Sequence, residues 1–339
     1  MDAVKFLVQE ALKRWVTITF SDVNNTVIKS GGGFRVQRID GEWWLSDERE
    51  FRFESRNEAM KLMLFTFDQF YSERIPNGLD FWLSTSDAHS THFSGLVMAF
   101  CSHQGNAIAI PDFTFIGWPE VKQPSFPALY RSLLEKSRAE KNKDGQIFFT
   151  GALFDTRLFL LGAIDANYVH VAEHTFGRHE GAKDLVVEKH FKTIDEICHN
   201  RYLLHLPGAN SYSSRLKYLL LCNSTVFIIE RWRHVSDAIA WNYAEWYYPM
   251  LEPWVHFIPA GNGGELKTIH QFLSTAPNEA QDIASASFAL AKRIFNPNFV
   301  QEYFVELLTA YASRMTYNAT QPLPGAIPLM DGILSKLAY

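Results

Sequence analysis

Residues 205–229 read HLPGANSYSSRLKYLLLCNSTVFII. A strand end, RYLLHLPG, runs into a glycine-containing turn, then into a short apolar helix, SSRLKYLLLC, and then into STVFIIE, a strand of the type buried on both faces. In strand-turn-helix topology the helix begins beyond the carboxyl end of the sheet. Its free N–H groups and partial positive charge favour an anion there. Gly208 would let the backbone approach such a ligand, Ser213 or Ser214 would cap the helix and donate a hydrogen bond, and Arg215 would stand in the first turn as a fixed cation. The same pattern also describes a capped helix with a solvent-exposed arginine.

The surrounding sequence repeats the pattern. QIFFTGALFDTRLFLLGAI reads as strand, Gly turn and helix, and YVHVAEH as a further strand, which makes a series of βαβ units. Upstream, residues 31–53 alternate apolar and polar positions around Asp40-Gly41, a hairpin signal. A helix follows from Ser55, with Met60, Met63, Leu64 and Phe67 on its apolar side; LDFWLSTSD, GLVMAFCSH and AIAIPDFTFI are then short strands. The polar stretch EKSRAEKNKDGQ, residues 135–146, reads as an exposed helix end and the link between domains. A last long helix over about residues 298–317 places Phe299, Tyr303, Leu307, Tyr311 and Met315 near one face. The expected domains are residues 1–140, 141–297 and a carboxyl-terminal helix and tail, 298–339, packing back toward the first lobe. No internal repeat is evident.

Composition excludes several function classes. At 339 residues the chain is long enough for two modest domains, and with 47% hydrophobic and 20% charged residues it is an ordinary folded globule. Its 32 basic and 37 acidic side chains leave a net charge of −5, which gives no overall pull toward nucleic acid or anionic lipid. No apolar run is long enough to span a bilayer. The first twenty residues carry Asp2, Glu10, Lys13 and Arg14 and read as an amphipathic helix, not a signal peptide. Sequons at Asn24, Asn223 and Asn318 point weakly toward a secretory route. The 3 cysteines allow at most one intramolecular disulfide. Cys198, His199, His205 and Cys222 match no standard zinc spacing and read as buried cysteines and strand-end histidines. Asp87, His89 and His92 in DAHSTH offer metal-ligand types at close spacing, the basis of a minor reading as a metal-dependent hydrolase.

A resemblance sharpens these readings. GANSYSSRLKYLLLCNSTVF, followed by EWYYPMLEPWVHFIPA, resembles the family 90 glycosyltransferases, which include the Rumi-type protein O-glucosyltransferases and the capsule-associated xylosyltransferases. Upstream blocks extend it over residues 31 to about 315: GGGFRV, Asp87 in LDFWLSTSDAHS, IPDFTFIGWPEV, and IFFTGALFDTR. What the resemblance implies is an α/β fold of GT-B type, with two Rossmann-like lobes facing across a cleft, an acceptor-binding first lobe and a UDP-sugar-binding second lobe. It implies an inverting, metal-independent transfer of glucose or xylose to a protein Ser or glycan hydroxyl. No cofactor beyond the UDP-sugar is expected, and the sequence contains no Asp-x-Asp pair to hold a divalent cation.

Carried over residue by residue, Asp87 is the catalytic base, and Arg157, Ser213 and Arg215 contact the diphosphate. Gly117, Ala152, Gly208, Ala209, Asn210, Ser211, Tyr212 and Ser214 complete the donor-binding set. Thr150 and Ala152 flank Gly151 where animal members often place Arg and Ser, and RWRHVSDAIAWN lengthens the interval between the two strong blocks. The resemblance implies the secretory lumen of the endoplasmic reticulum or Golgi, while the lack of a signal or anchor and the ending SKLAY leave a cytosolic location open. A monomer is expected, with neither nucleic acid nor a membrane span. The alternative reading on the same fold is a catalytically silent sugar- or nucleotide-sugar-binding protein.

Overall fold

The structure, a computed structural model, describes residues 2–29, 31–49, 55–86, 93–103, 105–118, 123–138, 145–151, 157, 161, 169–173, 187–188, 196–208, 212–229, 243–261 and 263–337. The fold is mixed α/β. The chain divides into two compact units, the first formed by Met1–Phe126, Asn242–Met250 and Pro297–Tyr339, the second by Pro127–Trp241 and Leu251–Asn296.

The first unit is built on a mixed sheet. Strands β1 (Gly33–Ile39) and β2 (Glu42–Arg49) form the expected antiparallel hairpin, closed at Asp40 and Gly41, both of which have positive φ. On the other side of β1 lies β3 (Leu79–Ser84), antiparallel to it, followed by β4 (Val97–Ala99) and β5 (Ile108–Ala109), each parallel to its neighbour. The term Rossmann-like therefore does not describe this sheet, because its hairpin half is antiparallel. Met60, Met63 and Leu64 of the helix Ser55–Tyr71 are wholly buried.

The helix Pro297–Ala312 is tied to the first unit's sheet by two tyrosines. Tyr303 donates to the Ala109 carbonyl at 2.8 Å and Tyr311 to that of Asp80 at 2.9 Å. It is shorter than its apolar pattern predicts. The backbone turns at Arg314, whose carbonyl accepts from the Ile18 amide, so Met315 lies beyond the helix in a bridge to Ile18.

The second unit holds a six-stranded sheet. Its strands are β6 (Ile147–Gly151), β7 (Val169–Glu173), β8 (Val187–Glu188), β9 (Tyr202–His205), β10 (Thr225–Ile229) and β11 (Ile258–Ala260). All its pairings are parallel, in the order β8-β7-β6-β9-β10-β11. That is the doubly wound order, in which the direction of winding reverses between the first and fourth strands. At the reversal β9 pairs with β6 only through Tyr202–Ile147 and Leu203–Phe148, so the carboxyl ends of the two strands part. One face of the sheet packs Phe149, Leu204, Phe227 and Ile258 against Leu266, Leu273 and Ala280 from the helices Gly263–Thr275 and Pro277–Ile294.

Two segments fall on the other side of the boundary drawn from sequence. Helix Phe126–Lys136 buries Leu129 and Leu133, and its Tyr130 hydroxyl donates to the Lys292 carbonyl, so most of it belongs to the second unit. Residues Asn242–Met250 belong to the first, because Tyr243 pairs with His103 and Trp246 stacks on Tyr303 at 4.6 Å between ring centroids. No helix among the described residues is long and apolar enough to cross a membrane.

Cys198 and Cys222 are joined in a disulfide, where the sequence reading took them as buried thiols. The bond removes both sulfurs from any zinc grouping, and it brackets β9, the loop after it and the helix Leu216–Leu220. Closing a loop of this length stabilises by about 3 kcal/mol through the unfolded chain. The Cys198→Ser, Cys222→Ser double variant should lose roughly that much in urea denaturation; an unchanged midpoint would show that the bond contributes nothing.

Candidate functional site

The parting of β6 and β9 is the topological switch point, where open parallel sheets take their ligands. β6 ends in Gly151, whose Cα packs against two guanidinium groups: a Cβ there would run into Nη1 of Arg215 and crowd Nη1 of Arg157. Glycine is required by space. Arg157 and Arg215 lie 5.7 and 4.7 Å from the centroid of the Phe149 ring, an aromatic floor for two cations. Backbone carbonyls at the end of β9 hold them in place. Arg157 Nε donates to Pro207 O at 2.8 Å, and Arg215 Nη2 to Leu206 O at 3.2 Å; Ser213 Oγ accepts from Arg157 Nη2 at 3.5 Å, the limit of a useful contact.

The loop that carries Arg215 folds back on itself. A Cβ at Gly208 would overlap the Tyr212 carbonyl, so the glycine serves close backbone approach within the loop. Neither Ser213 nor Ser214 caps the following helix. Arg215 itself occupies the cap position with no side-chain cap bond, and the Ser214 carbonyl accepts instead from Lys217 Nζ at 2.8 Å. With 5 residues the helix Leu216–Leu220 is little more than one turn. The positive character of the site therefore comes from side chains and hardly from a helix dipole.

Electrostatics single out Arg215. It is 9% exposed, and Nε and Nη1 have no hydrogen-bond partner among the described residues. Burial lowers its pKa to about 9. His205, at the end of β9 and 4% exposed, is pushed well below the ordinary histidine value by burial and then by Arg215 and Arg157. A buried guanidinium such as that of Arg215, with two donor atoms unpartnered among the described residues, is costly. A group with a strongly shifted pKa at the switch point of such a sheet is a candidate for ligand binding.

Of the residues predicted from sequence, the structure brings together Arg157, Gly208, Tyr212, Ser213, Ser214 and Arg215 around the ends of β6 and β9. Gly117 belongs to the first unit, between the turn Phe113–Phe115 and the Trp118–Gln123 bridge. Asp87, Ala152, Ala209, Asn210 and Ser211 lie outside the described residues, as do His89 and His92. Among the described residues no group of three or more His, Cys, Asp or Glu side chains could hold a metal ion. Sequence reasoning missed Phe149 and His205. The first looked like core, and the second had only its strand-end position to recommend it.

At this point the comparisons with known proteins decide the family. The model named Glycosyl transferase family 90 matches residues 5–327. The chain belongs to that family. Human Protein O-glucosyltransferase 1 is 28% identical over 237 residues, which cover 63% of this chain and 56% of the relative, and the mouse protein of the same name is 29% identical over 230 residues with the same coverage. The O-glucosyltransferase rumi homolog of Aedes aegypti is 30% identical over 127 residues, 37% of this chain and 29% of its own length. The chain thus spans about half the length of the Protein O-glucosyltransferase 1 relatives. Within family 90 the Arg157/Arg215 pocket lies in the matched region, as do both units' sheets.

Proposed function

We propose that this family 90 chain transfers a sugar from a UDP-sugar to a hydroxyl group of a protein serine or a glycan, with inversion at the transferred carbon. The observation that carries the reading is the pair of buried guanidiniums at the switch point of the second unit, with Arg215 Nε and Nη1 unengaged among the described residues. A nucleoside diphosphate is the anion that fits a doubly wound sheet at that position. In this reading the two units act as the lobes of a GT-B arrangement facing across a cleft, the second holding the donor and the first the acceptor. Relatives bearing the name Protein O-glucosyltransferase favour glucose over xylose and a protein acceptor over a glycan.

The chemistry follows from the groups. A serine or sugar hydroxyl is a poor nucleophile, and Asp87, a carboxylate ionised at neutral pH, would take its proton as the oxygen attacks the anomeric carbon. The bond to the β-phosphate breaks on the opposite side, so an α-linked donor sugar gives a β-linked product. The further negative charge that grows on the β-phosphate of the departing UDP would be stabilised by Arg157 and Arg215, in place of the divalent cation that Asp-x-Asp transferases use. The Cys198–Cys222 bond favours an oxidising compartment and hence the secretory lumen. The chain would act as a monomer.

A donor screen tests the proposal: UDP release from UDP-glucose, UDP-xylose, UDP-galactose and UDP-glucuronate with mixed acceptors. Turnover with UDP-glucose is expected. No release from any donor would replace the enzyme with a nucleotide-sugar-binding protein of the same fold. Activity is also expected to survive excess EDTA, and a loss that added metal reverses would overturn the assignment of the two arginines as the diphosphate's counter-charge.

A further inference from the structure

We propose that His205 is a third, uncharged ligand group of the anion pocket, its imidazole Nδ1–H donating directly to a phosphate oxygen of the bound nucleotide. The inference rests on reading the Arg157/Arg215 pocket as a diphosphate site and adds a residue to it.

Three observations carry it. First, His205 is buried, and its Nδ1 has no hydrogen-bond partner among the described residues, and Nε and Nη1 of Arg215, whose Nη2 donates to the adjoining Leu206 carbonyl, have none either. Native interiors leave few buried polar atoms unpaired, and three atoms on neighbouring side chains without a partner among the described residues point to one ligand group that would satisfy them together. Second, the register places His205 where that group would sit. Tyr202, Leu204 and Leu206 join Phe149 in the core on one face of the sheet, so alternation along β9 turns His205 to the other face. The guanidiniums rest on the Phe149 side. Because β6 and β9 stop pairing after Leu203–Phe148, the two faces meet in the crevice beyond, and an oxyanion seated there is reached by the arginines from one side and by the imidazole from the other.

Third, the electrostatics choose the kind of group His205 can be. Buried, and beside Arg215 and Arg157, the imidazole is held neutral, so one ring nitrogen carries an N–H that donates while the other accepts, and with the proton on Nδ1 that atom is the donor. A third cation would add repulsion to the buried charge of Arg215. A neutral donor adds a hydrogen bond to the phosphate without that repulsion.

Calorimetric titration with UDP, inorganic pyrophosphate and uridine separates the outcomes. His205→Leu is expected to weaken UDP and pyrophosphate by about tenfold to hundredfold, the range for a hydrogen bond to a charged acceptor, and to leave uridine unchanged; His205→Asn, which keeps a donor near the Nδ1 position, should recover most of the loss. In the wild-type protein the His205 ring ¹⁵N signals, assigned by their disappearance in His205→Asn, should move on addition of pyrophosphate, a readout that does not depend on how the leucine variant folds. Unmoved signals, or undiminished pyrophosphate affinity in a folded His205→Leu protein, overturn the role of His205. If Arg215→Ala also binds UDP normally, the diphosphate reading falls with it; if Arg215→Ala loses UDP while His205→Leu does not, only His205 is removed.

Discussion

Asp87→Asn is expected to lower turnover by about 10²- to 10⁴-fold, the usual contribution of a general base, with UDP affinity nearly unchanged. Asparagine keeps the shape of the side chain, but its amide oxygen is too weakly basic to take the acceptor proton. Affinity is spared because the groups assigned to the nucleotide, Arg157 and Arg215, belong to the second unit, while β3 and the residues after it belong to the first. The segment that leads to Asp87 is firmly built. Ser84, Thr85 and Ser86 are buried at the carboxyl end of β3, Thr85 Oγ1 donates to Asn57 Oδ1 at 2.5 Å, and Arg56 lies 4.7 Å over the Phe113 ring with Nη1 donating to the Thr85 carbonyl at 3.5 Å. This edge is the carboxyl end of the parallel strands β3, β4 and β5, where α/β sheets place functional groups. Near-normal turnover in the variant would remove Asp87 from the mechanism. A product shown by NMR to be α-linked would remove the inverting displacement itself.

What was legible in the sequence was local. The run TVFII is buried throughout as β10, because a parallel strand covered on both faces needs no polar side and so writes an unbroken apolar string. Asp40-Gly41 announced the β1/β2 hairpin because a two-residue turn with positive φ at both positions suits few other pairs. Arg157 and Arg215 were marked by residue type and by the blocks around them. Strand order was not legible, since pairing β9 beside β6 is a choice among distant segments with no local signature. The crevice follows from that order, so the significance of Phe149 and His205 could not be seen before it.

The errors have the same origin. Residues Asn242–Met250 lie between two segments of the second unit in sequence, yet the stacking of Trp246 on Tyr303, nearly sixty positions away, takes them to the first. The apolar spacing through Met315 continues a helical period after the backbone has turned to meet Ile18, because that residue is half-buried by a non-local contact and not by a helix face. Ser213 and Ser214 had the residue type of a cap, but the loop brings Arg215 to the cap position instead.

Arg215→Met is expected to do two opposite things: weaken UDP binding by about 2–4 kcal/mol, the scale for removing one partner of a desolvated charge pair, and leave the empty protein at least as stable as the wild type. The first follows from the guanidinium's two donor atoms, Nε and Nη1, that have no partner among the described residues. The second follows from linkage. A base whose pKa falls from the ordinary guanidinium value when unfolded to about 9 when folded binds fewer protons in the native state between those values, so stability rises with pH across that window, and below about 9 the penalty of burying the charge is fully present. At neutral pH the wild type carries that penalty. Methionine of similar length relieves it, keeps contact with the Phe149 ring and forfeits only the bond to Leu206 O. Over the same window the wild type should lose UDP affinity as pH rises above about 9, with no such fall remaining in the variant. Calorimetry and thermal melts check both arms: a variant that binds UDP like the wild type ends the assignment of Arg215 to the diphosphate, and one that binds weakly but melts many degrees lower makes Arg215 a structural residue of the loop, not a cation held at the expense of stability for its ligand.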